Sequence, residues 1–208
     1  MQVANRRILI LFAHPALEKS RVNRRLAEEV HSLPGVTFND LYQHYPDLDI
    51  DVDREQQLLT EHDVVVMQHP FYWYSTPAML KEWQDLVLEY GWAYGQGGTA
   101  LQGKTLLTAT TAGGSEEAYC TTGHNCYTVR EFLAPIERTA VLCGMTYLPP
   151  FVVLGTHSQH DDEIARHAAD YRRVVEALRD DTLDRAAAED LPRLNANLNA
   201  VLRKPAGA

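Results

Sequence analysis

Three short segments hold the side chains best suited to chemistry. The first is His14 followed by Ser20-Arg21-Val22-Asn23, an imidazole, a hydroxyl and an amide placed where a helix is expected to begin. Unpaired backbone N–H groups at such a start favour an anion, phosphate above all. The second, Phe71-Tyr72-Trp73-Tyr74, is four consecutive aromatics where a surface loop is ordinarily polar. A wall of that kind suits a flat ring such as an isoalloxazine; the plainer alternative is a core or dimer-interface cluster. The third, Thr111-Ala112-Gly113-Gly114, offers backbone amides with no bulky side chain to keep a ligand away.

Tyr119 and His124 follow, a phenol donor and a group that changes protonation near neutral pH. Cys120, His124 and Cys126 are ligand types for zinc, but one residue separates the last two and no fourth ligand stands nearby, so no metal site is expected. Gly98 to Thr105 spells the letters of a phosphate-binding P-loop. A P-loop enters a helix, whereas Lys104-Thr105 runs into β-branched residues, so nucleotide triphosphate binding is not expected there. His157 and His160 read as a solvated turn.

These segments need elements to position them. Ile8 to Ala13 is an apolar run too short for a helix and is read as a buried strand. From Ser20, as N-cap, Val22, Leu26, Val30 and Leu33 recur at helical spacing up to Pro34-Gly35. Val36 to Tyr42 reads as a second strand, Asp53 to His62 as a helix, and Asp63 to Gln68 as a third strand stopped by His69-Pro70. Thr76-Pro77 predicts a capped helix with Leu80, Trp83, Val87 and Tyr90 on one face. Lys104 to Thr111 is a fourth strand, and Thr128 to Glu131 a capping box. A fifth strand, Met145 to Leu154, is interrupted by Pro149-Pro150, and a helix opens at Asp161 or Asp162.

Strands alternating with helices require crossovers, which predicts an α/β fold: a doubly wound, five-stranded parallel sheet in flavodoxin-like order, with helices on both faces. Ligands in such sheets sit beyond the carboxyl ends of the strands, where all three chemical segments fall. The expected organisation is one domain over residues 1–182 and a helical extension over 183–208, with Leu191, Leu194, Leu198, Val201 and Leu202 on one apolar face.

Composition narrows the function. The 208 residues are 45% hydrophobic and 23% charged, an ordinary globular balance that excludes largely disordered classes. The net charge of −9 argues against nucleic acid and makes any anion site local. Three cysteines do not make a secreted disulfide framework, so a reducing, cytoplasmic setting is expected. The apolar start at Ile8 ends in His14-Pro15 without a small-residue cleavage site, and no stretch approaches a spanning helix.

ILILFAHP, the Ser20 to Asn23 step, DLYQHYPDLDID, QHPFYWYSTPAMLKEW, GWAYGQGGTALQGK and CGMTYLPPF resemble the flavodoxin-fold NAD(P)H:quinone oxidoreductases, most closely the ancillary proteins of bacterial glutathione-gated potassium-efflux (Kef) systems. The resemblance covers roughly residues 7 to 180 and implies FMN, with FAD as the longer alternative. It places His14, Ser20, Arg21, Val22 and Asn23 around the phosphate side. Phe71, Tyr72, Trp73, Tyr74, Thr111, Ala112, Gly113 and Gly114 then surround the ring. Tyr119 and His124 look like the tyrosine and histidine that assist hydride transfer, although the histidine arrives one residue early. Ala112 stands where the family usually has threonine.

The resemblance also implies NAD(P)H as co-substrate, a quinone or related electrophile as acceptor, two-electron ping-pong transfer and a homodimer. A Kef-type membrane protein is the implied partner, with peripheral placement on the cytoplasmic face of the inner membrane. The competing expectation is a regulatory docking subunit with little or no flavin chemistry. A small electron-carrying flavodoxin fits less well, since the first loop lacks a short Thr/Ser-rich cradle. A receiver domain would need an acidic pocket where Ala13-His14-Pro15 stands. Nothing in the resemblance accounts for residues 183–208.

Overall fold

Five consecutive buried apolar residues form the interior strand β1 (Ile8–Phe12) of the computed structural model, which describes residues 5–202. It pairs in parallel with β2 (Val36–Asp40) on one side and β3 (Val64–Pro70) on the other, Ile8 opposite both Val36 and Val64. β4 (Thr105–Thr111) continues the sheet beside β3. The last position is shared by β5 (Thr146–Tyr147) and β6 (Phe151–Val153), both parallel to β4. Pro149 and Pro150 have no N–H to offer and divide them. The order β2-β1-β3-β4-β5, with β6 also on β4, is the expected doubly wound order with its fifth strand split.

Alternation along β1 sorts two cores. Ile8, Ile10 and Phe12 face α1 (Arg21–Val30) and α7 (Asp161–Arg179), whose Leu26, Val30, Ala168 and Val175 are buried against them. Leu9 and Leu11 face the opposite layer. There α3 (Val52–Glu61), α4 (Ala78–Val87) and α6 (Ala134–Leu142) contribute Leu59, Met79, Trp83 and Ile136. Glu55 on α3 is fully buried but satisfied, accepting from Asn39 Nδ2, Tyr45 Oη and Trp83 Nε1 at 2.8–3.0 Å and from Arg54. This carboxylate pins β2, α3 and α4 together.

Several boundaries differ from the sequence reading. β2 stops at Asp40, because its carboxylate turns back to accept from the N–H groups of Tyr42 and Gln43 and caps α2 (Leu41–His44). α3 is capped by Asp51, and β3 runs through His69 and Pro70 rather than stopping before them. Pro77 itself takes the cap position, so α4 begins at Ala78 with no side-chain cap; Tyr90 lies beyond the helix and is exposed. The Thr128–Glu131 capping box is present, but the helix behind it breaks at Leu133 into α5 (Val129–Phe132) and α6.

The expected single C-terminal helix is instead α8 (Arg185–Glu189), a short 3-10 turn (Leu194–Ala196) and α9 (Leu198–Val201), with Pro192 between the first two. Its apolar face packs on the α1/α7 side of the sheet through Ala188, Leu194, Leu198 and Val201. The remainder of that extension, 203–208, and residues 1–4 lie outside the described residues.

Candidate active site

Beyond the carboxyl ends of β1, β3 and β4 lies a cavity of about 410 Å³, within the range that holds a cofactor-sized ligand. Of the residues expected there, it is lined by His14, Ser20, Arg21, Val22, Asn23, Phe71, Tyr72, Thr111 and Gly113. Ala16, Lys19, Pro70, Thr156 and His157 complete the wall. In a chain of net charge −9, this lining holds a lysine, an arginine and two histidines and no carboxylate.

Ser20 has extended dihedrals and its Oγ accepts from the Asn23 N–H at 3.1 Å, which caps α1 and leaves the Arg21 and Val22 N–H groups at the open helix end. Arg21 is held on the start of α7 by Asp161 (2.6 Å) and the Gln159 carbonyl (3.1 Å). Asn23 is buried beneath the cavity. Its Nδ2 donates to Thr111 Oγ1 at 2.7 Å, while its Oδ1 has no protein partner. Gln68 continues this network, donating to the Asn23 carbonyl at 3.4 Å and accepting from Tyr171 Oη at 3.0 Å. β3, β4, α1 and α7 are thereby tied together under the site.

His14 accepts the Ala16 N–H on Nδ1 at 3.1 Å, so the neutral ring carries its proton on Nε2 as a donor. Burial holds its pKa below the ordinary histidine value, opposed by Glu18. At Gly113 a Cβ would fall 2.4 Å from His157 Nε2, and at Gly114 2.9 Å from the Tyr119 ring. The missing side chains let those two rings lie against the backbone, and Gly113 also lines the cavity. Ala112 contributes through its backbone, donating to the Val153 carbonyl (2.9 Å) and accepting from Thr156 N–H (3.2 Å); its side chain is buried away from the cavity lining.

The aromatic run divides. Phe71 and Tyr72 reach the cavity, the Tyr72 ring meeting His14 edge-on at 6.1 Å. Tyr72 and Ser75 then exchange both backbone hydrogen bonds, which closes a two-residue hairpin with Trp73 and Tyr74 at φ 48° and 62°. Both sit in the left-handed region, at a cost of roughly 1 kcal/mol or more each for non-glycine residues. Trp73 is 93% exposed, and Tyr74 stacks on Phe132 at 5.0 Å and donates to Asn125 Oδ1 at 3.2 Å. Neither lines the cavity.

Tyr119 stands just outside the lining, its ring edge-on to Phe71 at 5.8 Å and to Phe132 at 6.3 Å. Burial raises its pKa, so the phenol keeps its proton at neutral pH. His124 is exposed and takes no part in the wall. Cys120, His124 and Cys126 form no metal-holding group, and no such group occurs among the described residues.

His157 is exposed in a turn as expected, and that turn after β6 also folds over Gly113 and brings the ring into the cavity wall. The rule that drew attention to the ends of strands one, three and four applies equally to the fifth, and would have found it.

The family model described as flavodoxin-like fold matches residues 6–175, which leaves 176–208 beyond the match. The glutathione-regulated potassium-efflux system ancillary protein KefG of Serratia proteamaculans is 47% identical over 165 residues, covering 79% of this chain and 90% of that protein. The general stress protein 14 of Treponema denticola, solved in complex with FMN, is 39% identical with a TM-score of 0.79, over 83% of this chain and 99% of that one. An NADPH-quinone reductase from P. pentosaceus is 30% identical with a TM-score of 0.74, over 81% and 96%. Sheet order, strand-end cavity and these likenesses agree: the chain belongs to the flavodoxin-like fold family.

Proposed function

We propose that this chain is an FMN-dependent NAD(P)H:quinone oxidoreductase that works by two-electron, ping-pong transfer. The observation that carries the reading is the cavity itself, where a carboxylate-free cradle at the α1 N-terminus adjoins bare glycine backbone and two aromatic rings. Asn23, buried with an unpartnered Oδ1, fits a polar ligand overhead. The FMN complex and the NADPH-quinone reductase among its relatives support the assignment. The cradle alone is compatible with the phosphate of FAD, and the FMN-bound relative supports the shorter cofactor.

Bound FMN supplies the chemistry of accepting a hydride from NAD(P)H and delivering it to a quinone or related electrophile. His14, Ser20, Arg21, Val22 and Asn23 would hold the phosphate side, where the open N–H groups of Arg21 and Val22 at the start of α1 would meet its charge. Thr111 and Gly113 would face the ring from the end of β4, Ala112 and Gly114 would hold that turn through their backbone bonds to Val153, Thr156 and Gly155, and Phe71 and Tyr72 would wall the ring from water. Tyr119, a phenol that keeps its proton beside the cavity, would supply a hydrogen-bond donor to the bound cofactor. His124, on the solvent side of the same loop, exchanges the proton with acceptor and solvent. The strained, exposed hairpin tip of Trp73 and Tyr74 suits burial in a homodimer.

The KefG relative favours a second role, docking on a Kef-type membrane protein at the cytoplasmic face as its ancillary activator. No helix among the described residues is long and apolar enough to cross a membrane, so such contact would run through the partner. A docking subunit without flavin chemistry has no need of the cavity. The test is an anaerobic absorption spectrum after FMN is added and excess removed, taken before and after NADPH and again after a quinone. A retained yellow band that bleaches and returns is expected; a protein that retains no flavin overturns the reading.

A further inference from the structure

Arg193, beyond the family match, donates to both carboxylate oxygens of Glu116 at 2.9 Å. Arg130 donates to the Leu191 carbonyl at 2.8 Å and the Glu189 carbonyl at 3.4 Å. Glu116 opens the loop that carries Tyr119, and Arg130 stands in the first turn of α5 just after that loop ends. One C-terminal segment therefore grips the loop at both ends.

The gripping segment is itself firmly anchored. Leu194 N–H donates to the Pro150 carbonyl at 2.9 Å. The Asn195 side chain accepts from Val152 N–H (3.0 Å) and donates to the Val152 carbonyl (2.7 Å), pairing the outer edge of β6 as one residue of a strand would. Leu194 and Val201 are completely buried in the core. A space of about 320 Å³ beside Glu117, His167 and Asn195 leaves the loop room to shift once its ion pair is broken.

We propose that residues 185–202 form a clasp that positions the loop Ser115–Thr128, with Arg193 and Glu116 as the positioning pair that sets Tyr119 at the cavity mouth and so tunes the fit of the electron acceptor. The part concerning the acceptor rests on the reductase reading; the clasp on the loop does not.

Two readouts separate them. Amide hydrogen exchange over residues 115–125 in the full chain needs no activity. It should accelerate about threefold in Arg193→Ala and in Glu116→Gln, stay near the parent rate in Arg193→Lys, and return in the charge-swapped Glu116→Arg/Arg193→Glu pair. Unchanged exchange in Arg193→Ala overturns the clasp, whether or not the protein reduces quinones. In steady-state quinone reduction, Arg193→Ala should raise the acceptor KM about threefold to fivefold, with kcat within about twofold and flavin content unaltered. Faster exchange with an unmoved acceptor KM overturns the link to the acceptor, and lost flavin content would move the segment's role to the cofactor.

Discussion

The cradle around Ser20 and the loop around Tyr119 meet at Gly113 and Gly114 and are held by opposite means. The cradle is made of the ends of regular elements, each fixed by parallel ladders, a helix cap and the buried Asn23–Thr111 and Gln68–Tyr171 bonds. The loop has no ladder of its own. It hangs on short local turns such as Tyr119 N–H to Glu116 carbonyl, on the Phe71–Phe132 ring cluster and on the C-terminal segment. Damage to the cradle should therefore be felt as stability and flavin affinity, and damage to the loop as turnover with flavin retained.

The largest expected effect lies under the cradle. His69, at the end of β3, is fully buried, and burial lowers its pKa to about 4 from 6.5. The unfolded chain then binds more protons than the folded one between those values, so stability rises with pH across that window. On acidification it begins to fall near pH 6.5, and about 3 kcal/mol is lost by pH 4. His14, His62 and His167 are lowered in the same direction, also by burial. Denaturant unfolding at several pH values should show this slope and show it flattened in His69→Phe. An equal slope in the variant would assign it elsewhere.

Second comes Gly123, where a Cβ would lie 2.1 Å from the Glu117 carbonyl oxygen and 2.8 Å from that of Ala118. Both are backbone atoms, so Gly123→Ala must open the turn that carries Tyr119. kcat/KM for quinone is expected to fall at least about tenfold while flavin content stays intact. Flavin loss in this variant would erase the distinction between the two regions. Third, Ser20→Ala removes the α1 cap, worth about 1 kcal/mol, and should weaken FMN binding about fivefold with little change in kcat. Fluorescence titration with FMN measures it.

The same division decides what could be read in the sequence. β1 and the start of β3 are legible because strands buried on both faces are continuous apolar runs, β4 because its threonines are β-branched, and Ser20 and Thr128 because a cap is a bond within three residues. The cradle inherits that legibility, since strand ends fall where strands do. His157 reaches Gly113 only through the turn after β6, and Arg193 meets Glu116 across 77 positions of chain. Neither leaves a local pattern. Trp73 and Tyr74 share the composition of Phe71 and Tyr72, yet left-handed dihedrals at the hairpin tip carry them away from the cavity. The apolar spacing from Leu191 to Leu202 marks a buried face correctly but does not reveal that Pro192 and the short 3-10 turn divide it.

The smallest effect is the most discriminating, because it touches the loop without disturbing how the loop is held. Tyr119→Phe keeps the ring that packs on Phe71 and Phe132 and over Gly114, and removes only the hydroxyl. Flavin content and melting temperature should therefore match the parent, since the ring packing is intact. Turnover should fall about threefold, the size of one lost neutral hydrogen bond. Since burial raises the Tyr119 pKa above its ordinary value of 10.0, the phenol is a donor throughout the neutral range, and the deficit should be constant from pH 6 to 9. A deficit that grows with pH inside that range would point to a different ionising group at the mouth. No deficit at all would leave the loop without a donor and shift its contribution to shape alone.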